Sequence, residues 1–248
     1  MLREERLEFI LRKLQTDQKV LQTELSNDLQ VSEDTVRRDL DSLAQNGLLI
    51  KVRGGAIPHS PNPYPFKERL QYHEDDKKNI ARKALALLHN GQTVILDGGT
   101  STLTLVKLFP PNLQLTVVTN SVPIVAQLIE HPGVQVIFTG GRVNKDSQTS
   151  GGLNTIRTIQ NLRADLCFLG VCSLHPDAGV TGLDLEEAEV KSAMVKAANK
   201  VVALATSDKM GTGETFKVCE ITDIDTIITD NPSLELFDPY IKLGLQVL

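Results

Sequence analysis

The chain of 248 residues has only three cysteines, Cys167, Cys172 and Cys219. They form no Cys-x-x-Cys pair and no cluster with histidine, so the sequence gives no sign of a zinc or redox centre. Neither a metal nor another cofactor is expected. Cys167 and Cys172 flank an apolar run and read as small buried hydrophobes. No apolar stretch approaches the roughly 18 residues of a membrane span, so no membrane partner is expected. The opening Met1-Leu-Arg-Glu-Glu-Arg6 is charged and helical in pattern. It is unlike a secretory leader, and a cytoplasmic location is expected. A surplus of positive charge is also missing. The formal net charge is -5, and residues 1–57 hold nine Lys/Arg against ten Asp/Glu. Blanket affinity for nucleic acid is thereby excluded, and any DNA contact has to come from charge placement. Internal repeats and low-complexity tracts are absent. None of the five histidines pairs with a serine or cysteine in a triad pattern, so no catalytic residue is expected.

What is present starts with Val31-Ser-Glu-Asp-Thr-Val-Arg-Arg-Asp-Leu-Asp-Ser-Leu43. Ser32 is a good N-cap, and Glu33 and Asp34 sit in the first turn, where the helix dipole favours negative charge. Val36, Leu40 and Leu43 recur at i, i+4 and i+7 and define a buried face. At about 100° per residue, Thr35, Arg38 and Ser42 fall opposite that stripe, with Arg37 on its flank. A helix through Leu21, Leu25 and Leu29 precedes it across a short turn, and a first helix runs from Arg6 to Leu14. After Gly47, the segments Leu48–Val52 and Ala56 onward read as a two-stranded ribbon carrying Lys51 and Arg53. Three helices and a ribbon make a winged helix-turn-helix, in which the helix after the turn reads the major groove. Ser32, Thr35, Arg37, Arg38, Ser42, Lys51 and Arg53 are the candidate DNA contacts, the last two through the wing. Phosphate contacts from these cations would be salt-sensitive, and two or more modules would be needed for operator affinity. A homodimer or higher oligomer is therefore expected.

Four of the eleven prolines fall within Ile57–Phe66, which reads as an extended linker. Phe66–His89 reads as one long or broken helix with a charged, solvated face at Glu74–Lys78. From Thr93 the pattern alternates strand and helix. Apolar strands at Thr93–Asp97, Leu115–Thr119, Gln135–Thr139, Leu166–Gly170, Val201–Ala205 and Thr226–Thr229 imply a parallel sheet covered on both faces. The fold class is α/β: a winged helix-turn-helix over residues 1–57, a Pro-rich linker over 58–69 and a mainly parallel-sheet domain over 70–248.

In such sheets, ligands sit beyond the carboxyl ends of the strands. Three strands end in small polar residues: Asp97-Gly-Gly-Thr-Ser-Thr102, Thr119-Asn-Ser121 and Thr139-Gly-Gly-Arg142. Glycines free the backbone to curl, and hydroxyls and N–H groups at a helix start can cradle a phosphate. Ser207-Asp-Lys209 follows a later strand and offers an ammonium. These loops converge on one edge of one sheet and suit an anionic ligand.

Val31-Ser32, Thr35–Leu40, Leu43, Gly47-Leu48 and Gly54-Gly-Ala56 resemble the N-terminal domain of the DeoR family of bacterial transcription regulators. Arg53 stands where that family often has histidine. Residues 70–248 resemble the DeoR-family sensor domain, itself similar to ribose-5-phosphate isomerase. The motifs carrying this are Asp97-Gly-Gly-Thr-Ser-Thr102, Thr119-Asn-Ser121, Thr139-Gly-Gly141, Gly179-Val-Thr181, the Glu186–Lys191 helix and Asp208-Lys209. The resemblance implies that the loop of Gly98, Gly99, Thr100, Ser101 and Thr102, with Asn120 and Ser121, holds a phosphate. It places Gly140 in the third loop and Lys209 at the rim. Asp97, Glu186 and Lys191 would meet sugar hydroxyls or couple the site to subunit contacts. The related isomerases carry an Asp-Gly-Ala-Asp segment after a central strand. This chain has Gly170-Val-Cys-Ser-Leu174 instead, without the carboxylate base that isomerisation needs. The expected function is a transcription regulator, a repressor of carbohydrate-metabolism genes, bound to a double-stranded DNA operator and released by a phosphorylated sugar or polyol effector. The alternatives are a sugar-phosphate isomerase fused to a DNA-binding module and a scaffold with a vestigial pocket.

Overall fold

A computed structural model describes residues 1–61 and 65–248. Asn62, Pro63 and Tyr64, inside the proline-rich stretch read as a linker, lie outside the described residues.

The N-terminal module runs α1 (Arg3–Asp17), β1 (Val20–Leu21), α2 (Gln22–Leu29), α3 (Glu33–Gln45), β2 (Ile50–Val52) and β3 (Gly55–Ile57). Helix α3 begins where the Ser32 hydroxyl accepts the Thr35 N–H at 3.2 Å, satisfying one of the orphan donors of the first turn. Val36, Leu40 and Leu43 enter one small core with Ile10, Leu14, Leu25 and Leu29. Burying each such side chain contributes about 1.5–3 kcal/mol. Asp39 shares that buried face. Arg6 of α1 grips it with two hydrogen bonds, at 2.8 and 3.2 Å, so the one charge in the stripe is paired. The wing has three strands, in the order β1-β3-β2, rather than the two expected. The third, Val20–Leu21, is too short to show any periodicity. Gly55 admits it: a Cβ there would lie 1.9 Å from the Val20 carbonyl oxygen.

Helices α4 (Phe66–Gln71) and α5 (Glu74–Leu85) follow, broken at His73, whose φ of 51° is left-handed. Helix α4 therefore begins inside the stretch that sequence reads as linker. The remaining elements are β4 (Thr93–Leu96), α6 (Thr100–Val106), β5 (Leu115–Thr119), α7 (Val122–Leu128), β6 (Val134–Phe138), β7 (Arg142–Asn144), β8 (Thr149–Gly151), α8 (Leu153–Gln160) and β9 (Ala164–Gly170). After these come β10 (Ser173–His175), β11 (Gly179–Gly182), α9 (Leu185–Ala197), β12 (Ala198–Leu204), β13 (Phe216–Cys219), β14 (Thr226–Ile228), α10 (Leu234–Lys242) and β15 (Gln246–Val247).

Seven strands form one sheet in the order β15-β14-β12-β9-β4-β5-β6, every neighbouring pair parallel. Its two faces carry separate cores. Ile95, Cys167 and Leu169 face α9 residues such as Met194, while Val94, Leu96 and Phe168 face Ile80 and Leu105. Alternate residues of one strand thus enter opposite cores, which is why these strands read as unbroken apolar runs. Two short antiparallel additions, the sheet β10-β11-β13 and the hairpin β7-β8, were not legible in the sequence.

The two modules touch. Ile57 and Ile50 of the wing pack on the backbone of Gly213, where a Cβ would meet the Ile57 side chain at 2.6 Å. Gly213 N–H donates to the Pro58 carbonyl at 3.1 Å. The Glu214 carboxylate bonds His59 Nδ1 at 2.9 Å and accepts the Ser60 N–H at 3.0 Å. Lys19 pairs with Asp177 at 3.2 Å.

Candidate functional site

Two surfaces carry the chemistry. On α3, Arg37 and Arg38 both project outward and share Asp34, each at 2.6 Å. The Arg37 hydrogen bond, with the Arg38 charge, holds the Asp34 carboxyl below its ordinary range. Thr35 is half-buried, and its hydroxyl lies 2.9 Å from that of Ser32. Ser42 accepts from Arg3 Nη2 at 2.8 Å, bringing α1 to the same face. Arg3 had no sequence signal, because it lies 39 residues away. Lys51 of β2 reaches across to Asp41 of α3. Arg53 sits exposed at the wing turn, beside Gly54 with its φ of 79°. All the candidate DNA residues thus lie on the recognition helix, its cap or the wing, with the cations of α3 and β2 partnered by carboxylates of α3 itself.

The second surface is a cleft at the carboxyl ends of β4 and β9. Its walls are Gly98–Ser101 after β4, Gly170–Cys172 after β9, Val180–Asp184 at the end of β11, and Glu187, Ala188 and Lys191 of α9. Lys209 and Arg69 complete it. Lys191 bonds Asp97 Oδ2 and donates to the Gly170 carbonyl at 2.7 Å. Asp97 also accepts the Gly170 N–H at 3.0 Å, so it ties β4 to β9 beneath the cleft floor. Burial pushes the Asp97 carboxyl up and works against the Lys191 ammonium as well. At contact distance the two charges offset one another. Lys191, with Glu187 3.6 Å away, is held above the usual lysine value. Lys209 is different: burial brings its pKa down to about 8, and among the described residues Nζ donates to the Val171 carbonyl alone, at 3.0 Å.

The other sequence candidates lie around this cleft. Thr102 folds back on the loop, its hydroxyl donating to the Asp97 carbonyl at 2.7 Å. Asn120 donates to the Ser150 carbonyl at 2.9 Å and keeps a buried Oδ1 on the Gly98 side, without a partner among the described residues. The Ser121 hydroxyl caps α7. Gly140 takes a left-handed turn, φ 67°, and its carbonyl accepts the Thr155 hydroxyl at 2.6 Å. Glu186 turns outward to Arg142 at 2.8 Å. Of the candidates, Asp97, Thr102, Asn120, Ser121, Gly140 and Glu186 do not line the cleft. Lys77, read as part of a solvated charge run, is buried and donates to the carbonyls of Arg69 and Tyr72. Most lining residues were not among the sequence candidates, including Arg69, Cys172, Asp184 and Glu187; nothing local in sequence places Arg69 or Cys172 near β4. Among the described residues, no cluster of His, Cys, Asp and Glu suits a metal, and no helix is long and apolar enough to cross a membrane.

A winged helix joined to a parallel α/β domain is the architecture of a DNA-binding regulator. The model of the DeoR C terminal sensor domain matches residues 72–231, and that of the DeoR-like helix-turn-helix domain matches residues 6–61. The chain belongs to the DeoR family of transcription regulators. It is 35% identical to the HTH-type transcriptional regulator GolR of Listeria innocua, over 98% of this chain and 97% of that protein. Identity to the HTH-type transcriptional repressor GlcR of Bacillus subtilis is 31%, over 100% of this chain and 96% of the other. The glycerol-3-phosphate regulon repressor of Escherichia coli K12 is 28% identical, over 84% and 83%. A solved ribose 5-phosphate isomerase from Methanocaldococcus jannaschii overlaps 55% of this chain and 54% of its own, with 14% identity and a TM-score of 0.40. That likeness is too distant to carry an argument. These relatives are named as regulators and repressors, and the chain is a regulator rather than an enzyme; the isomerase alternative is set aside.

Proposed function

We propose that the chain is a cytoplasmic repressor of carbohydrate-metabolism genes, released from a double-stranded DNA operator by a phosphorylated sugar or polyol. The carrying observation is one cleft that combines the glycine loop Gly98–Ser101 with two buried lysines, Lys191 and Lys209. First-turn N–H groups have no intrahelical acceptor. Together with Lys209, they suit a phosphate. Lys191, with Asp184 and Glu187 on the cleft wall, suits sugar hydroxyls, while Asp97 holds Lys191 from beneath and Asn120 lies behind the Gly98 loop. Thr102 and Ser121 shape the loops, Gly140 turns the third, and Glu186 with Arg142 braces the rim. One relative is named for a glycerol-3-phosphate regulon, which makes a phosphorylated polyol a natural member of the test panel.

On DNA, Thr35, Arg37, Arg38 and Ser42 would face the major groove, with Ser32 fixing the helix start. Lys51 and Arg53 would reach phosphates. Two modules are needed, and the edge strand β6 supports a homodimer or larger assembly, since Ile137 and Phe138 stay exposed on it. A ligand shifts DNA binding only if it binds the two arrangements unequally. A short path exists for that. The Glu214 N–H donates to Thr181 of the cleft wall at 2.8 Å, its carboxylate holds His59 and Ser60, and the Ser60 hydroxyl donates to the Cys172 carbonyl at 2.8 Å.

The test uses operator DNA selected from a random library and a panel of sugar phosphates with their unphosphorylated parents. At 100 times its dissociation constant, an effector that binds only the folded state adds about 2.7 kcal/mol of stability. The same compound should release the selected DNA in a gel shift. A panel with no stabilising member would leave the vestigial-pocket reading standing.

A further inference from the structure

Arg69 lies on α4, at the border between the interdomain segment and the sensor domain. Its neighbour Phe66 is anchored in the core, with its N–H donating to the Asp146 carbonyl at 2.7 Å. The guanidinium carbon stands 5.8 Å from the Phe66 ring centroid, so the side chain is laid over a fixed aromatic face and into the cleft wall. Nε and Nη2 are buried there and have no hydrogen-bond partner among the described residues. A guanidinium stays charged, and its N–H donors can be met only by an acceptor. Leaving two buried donors unmet by protein costs free energy that a structural role would have to repay.

The charged neighbours do not repay it. Lys209 and Lys77 are both buried, and each has its pKa brought down to about 8, by burial first and with Arg69 among the opposing charges. Lys77 is accounted for, since it caps the carbonyls of Arg69 and Tyr72. The nearby carboxylate, Asp208, is held by the Tyr72 hydroxyl at 2.7 Å and faces His73 at 3.8 Å. Arg69 and Lys209 therefore face one cleft that Asp184 and Glu187 also line, and among the described residues neither cation makes an ion pair. The planar fork of an arginine beside an ammonium matches the oxygens of a phosphate better than a neutral hydroxyl does.

We propose that Arg69 is a phosphate-binding residue of the effector cleft, gripping a phosphomonoester dianion jointly with Lys209 from the segment that joins the two modules. This rests on the reading of the cleft given above and deepens it. The phosphate then contacts the same stretch of chain whose start, at His59 and Ser60, is latched to Glu214. Effector binding and the seating of the interdomain segment become one event.

The test is calorimetric titration of the full chain and of Arg69→Gln with glycerol 3-phosphate, ribose 5-phosphate, hexose 6-phosphates and inorganic phosphate, each sugar also as its unphosphorylated parent. A cooperative thermal transition checks the fold of the variant. If the Gln variant does not fold, Arg69→Met keeps the apolar stem over Phe66 and takes its place. The expected result is at least a tenfold weaker dissociation constant for the phosphorylated compound the wild type binds, with any affinity for its unphosphorylated parent unchanged. Wild-type affinity in the folded variant overturns the assignment of Arg69 while leaving the cleft reading intact. A wild type that binds no phosphorylated compound overturns both.

Discussion

The face of α3 proposed to read DNA and the cleft proposed to take an effector both rely on cations, and they hold them in opposite ways. On α3, Arg37 is 55% exposed, Arg38 76%, and their shared partner Asp34 49%. In the cleft, Lys191 is 8% exposed and its partner Asp97 1%. An exposed pair contributes about 0–1 kcal/mol and trades partners readily, so the arginines can leave Asp34 for a phosphate backbone at little cost. A buried pair cannot separate without stranding a charge in a medium of low dielectric. The first arrangement suits reversible docking on a polyanion. The second suits a site whose shape has to be ready before its ligand arrives.

The largest expected effect breaks the buried side of this contrast. Lys191→Met leaves Asp97 unpaired and should cost about 3–5 kcal/mol in urea unfolding. A loss below about 1 kcal/mol would mean that Asp97 takes up a proton cheaply and the pair is incidental. On the exposed side, Arg38→Ala should weaken binding to selected operator DNA by about 1–3 kcal/mol and leave unfolding within about 0.5 kcal/mol of wild type. Unchanged operator affinity would remove α3 from the groove.

A third effect separates Lys209 from the surface cations by pH. Its folded pKa, about 8, lies below the ordinary 10.5 because of burial, with Cys172, Asp208, Arg69 and Lys191 around it. Above 10.5 the lysine is neutral whether folded or not. As pH falls toward 8 the unfolded chain takes up the proton first, so this lysine's contribution to ligand-free stability declines through that window. Anion binding runs the other way: it is strongest below about 8, should fall by up to about tenfold per pH unit above that value, and should level off above the pKa of the ligand-bound state. Dissociation constants measured from pH 7 to 10 test this, and a flat profile would show that Lys209 does not face the anion. The smallest effect is Asp34→Asn, which frees both arginines. It should tighten non-specific DNA binding by no more than about 1 kcal/mol and steepen its salt dependence. A measured slope equal to wild type would mean that Asp34 does not compete with phosphate.

Much of the fold was readable where the signal is local. The Ser32 cap, the Val36-Leu40-Leu43 stripe and the apolar strands from Thr93 to Thr229 each announce themselves within a few residues, and the structure places all of them in the expected elements. Strand β1 escaped because two residues carry no period. The hairpin β7-β8 and the sheet β10-β11-β13 escaped because their strands are three or four residues long and exist through their pairing. In the cleft, the loop after β4 was legible from its glycines and hydroxyls. Arg69 was not, because its only local context is a proline-rich stretch and a charge run.

The sequence by itself determined the class of each module, since caps, periodicity and turn residues act over one or two helical turns and need no distant partner. Tertiary structure alone decided which charges meet: Arg6 with Asp39 across 33 residues, Lys191 with Asp97 across 94, and His59 with Glu214 across 155. The physical reason is that a charge's behaviour depends on what surrounds it after folding. The same lysine is a solvated ornament on one face and, packed beneath another element, a binding group.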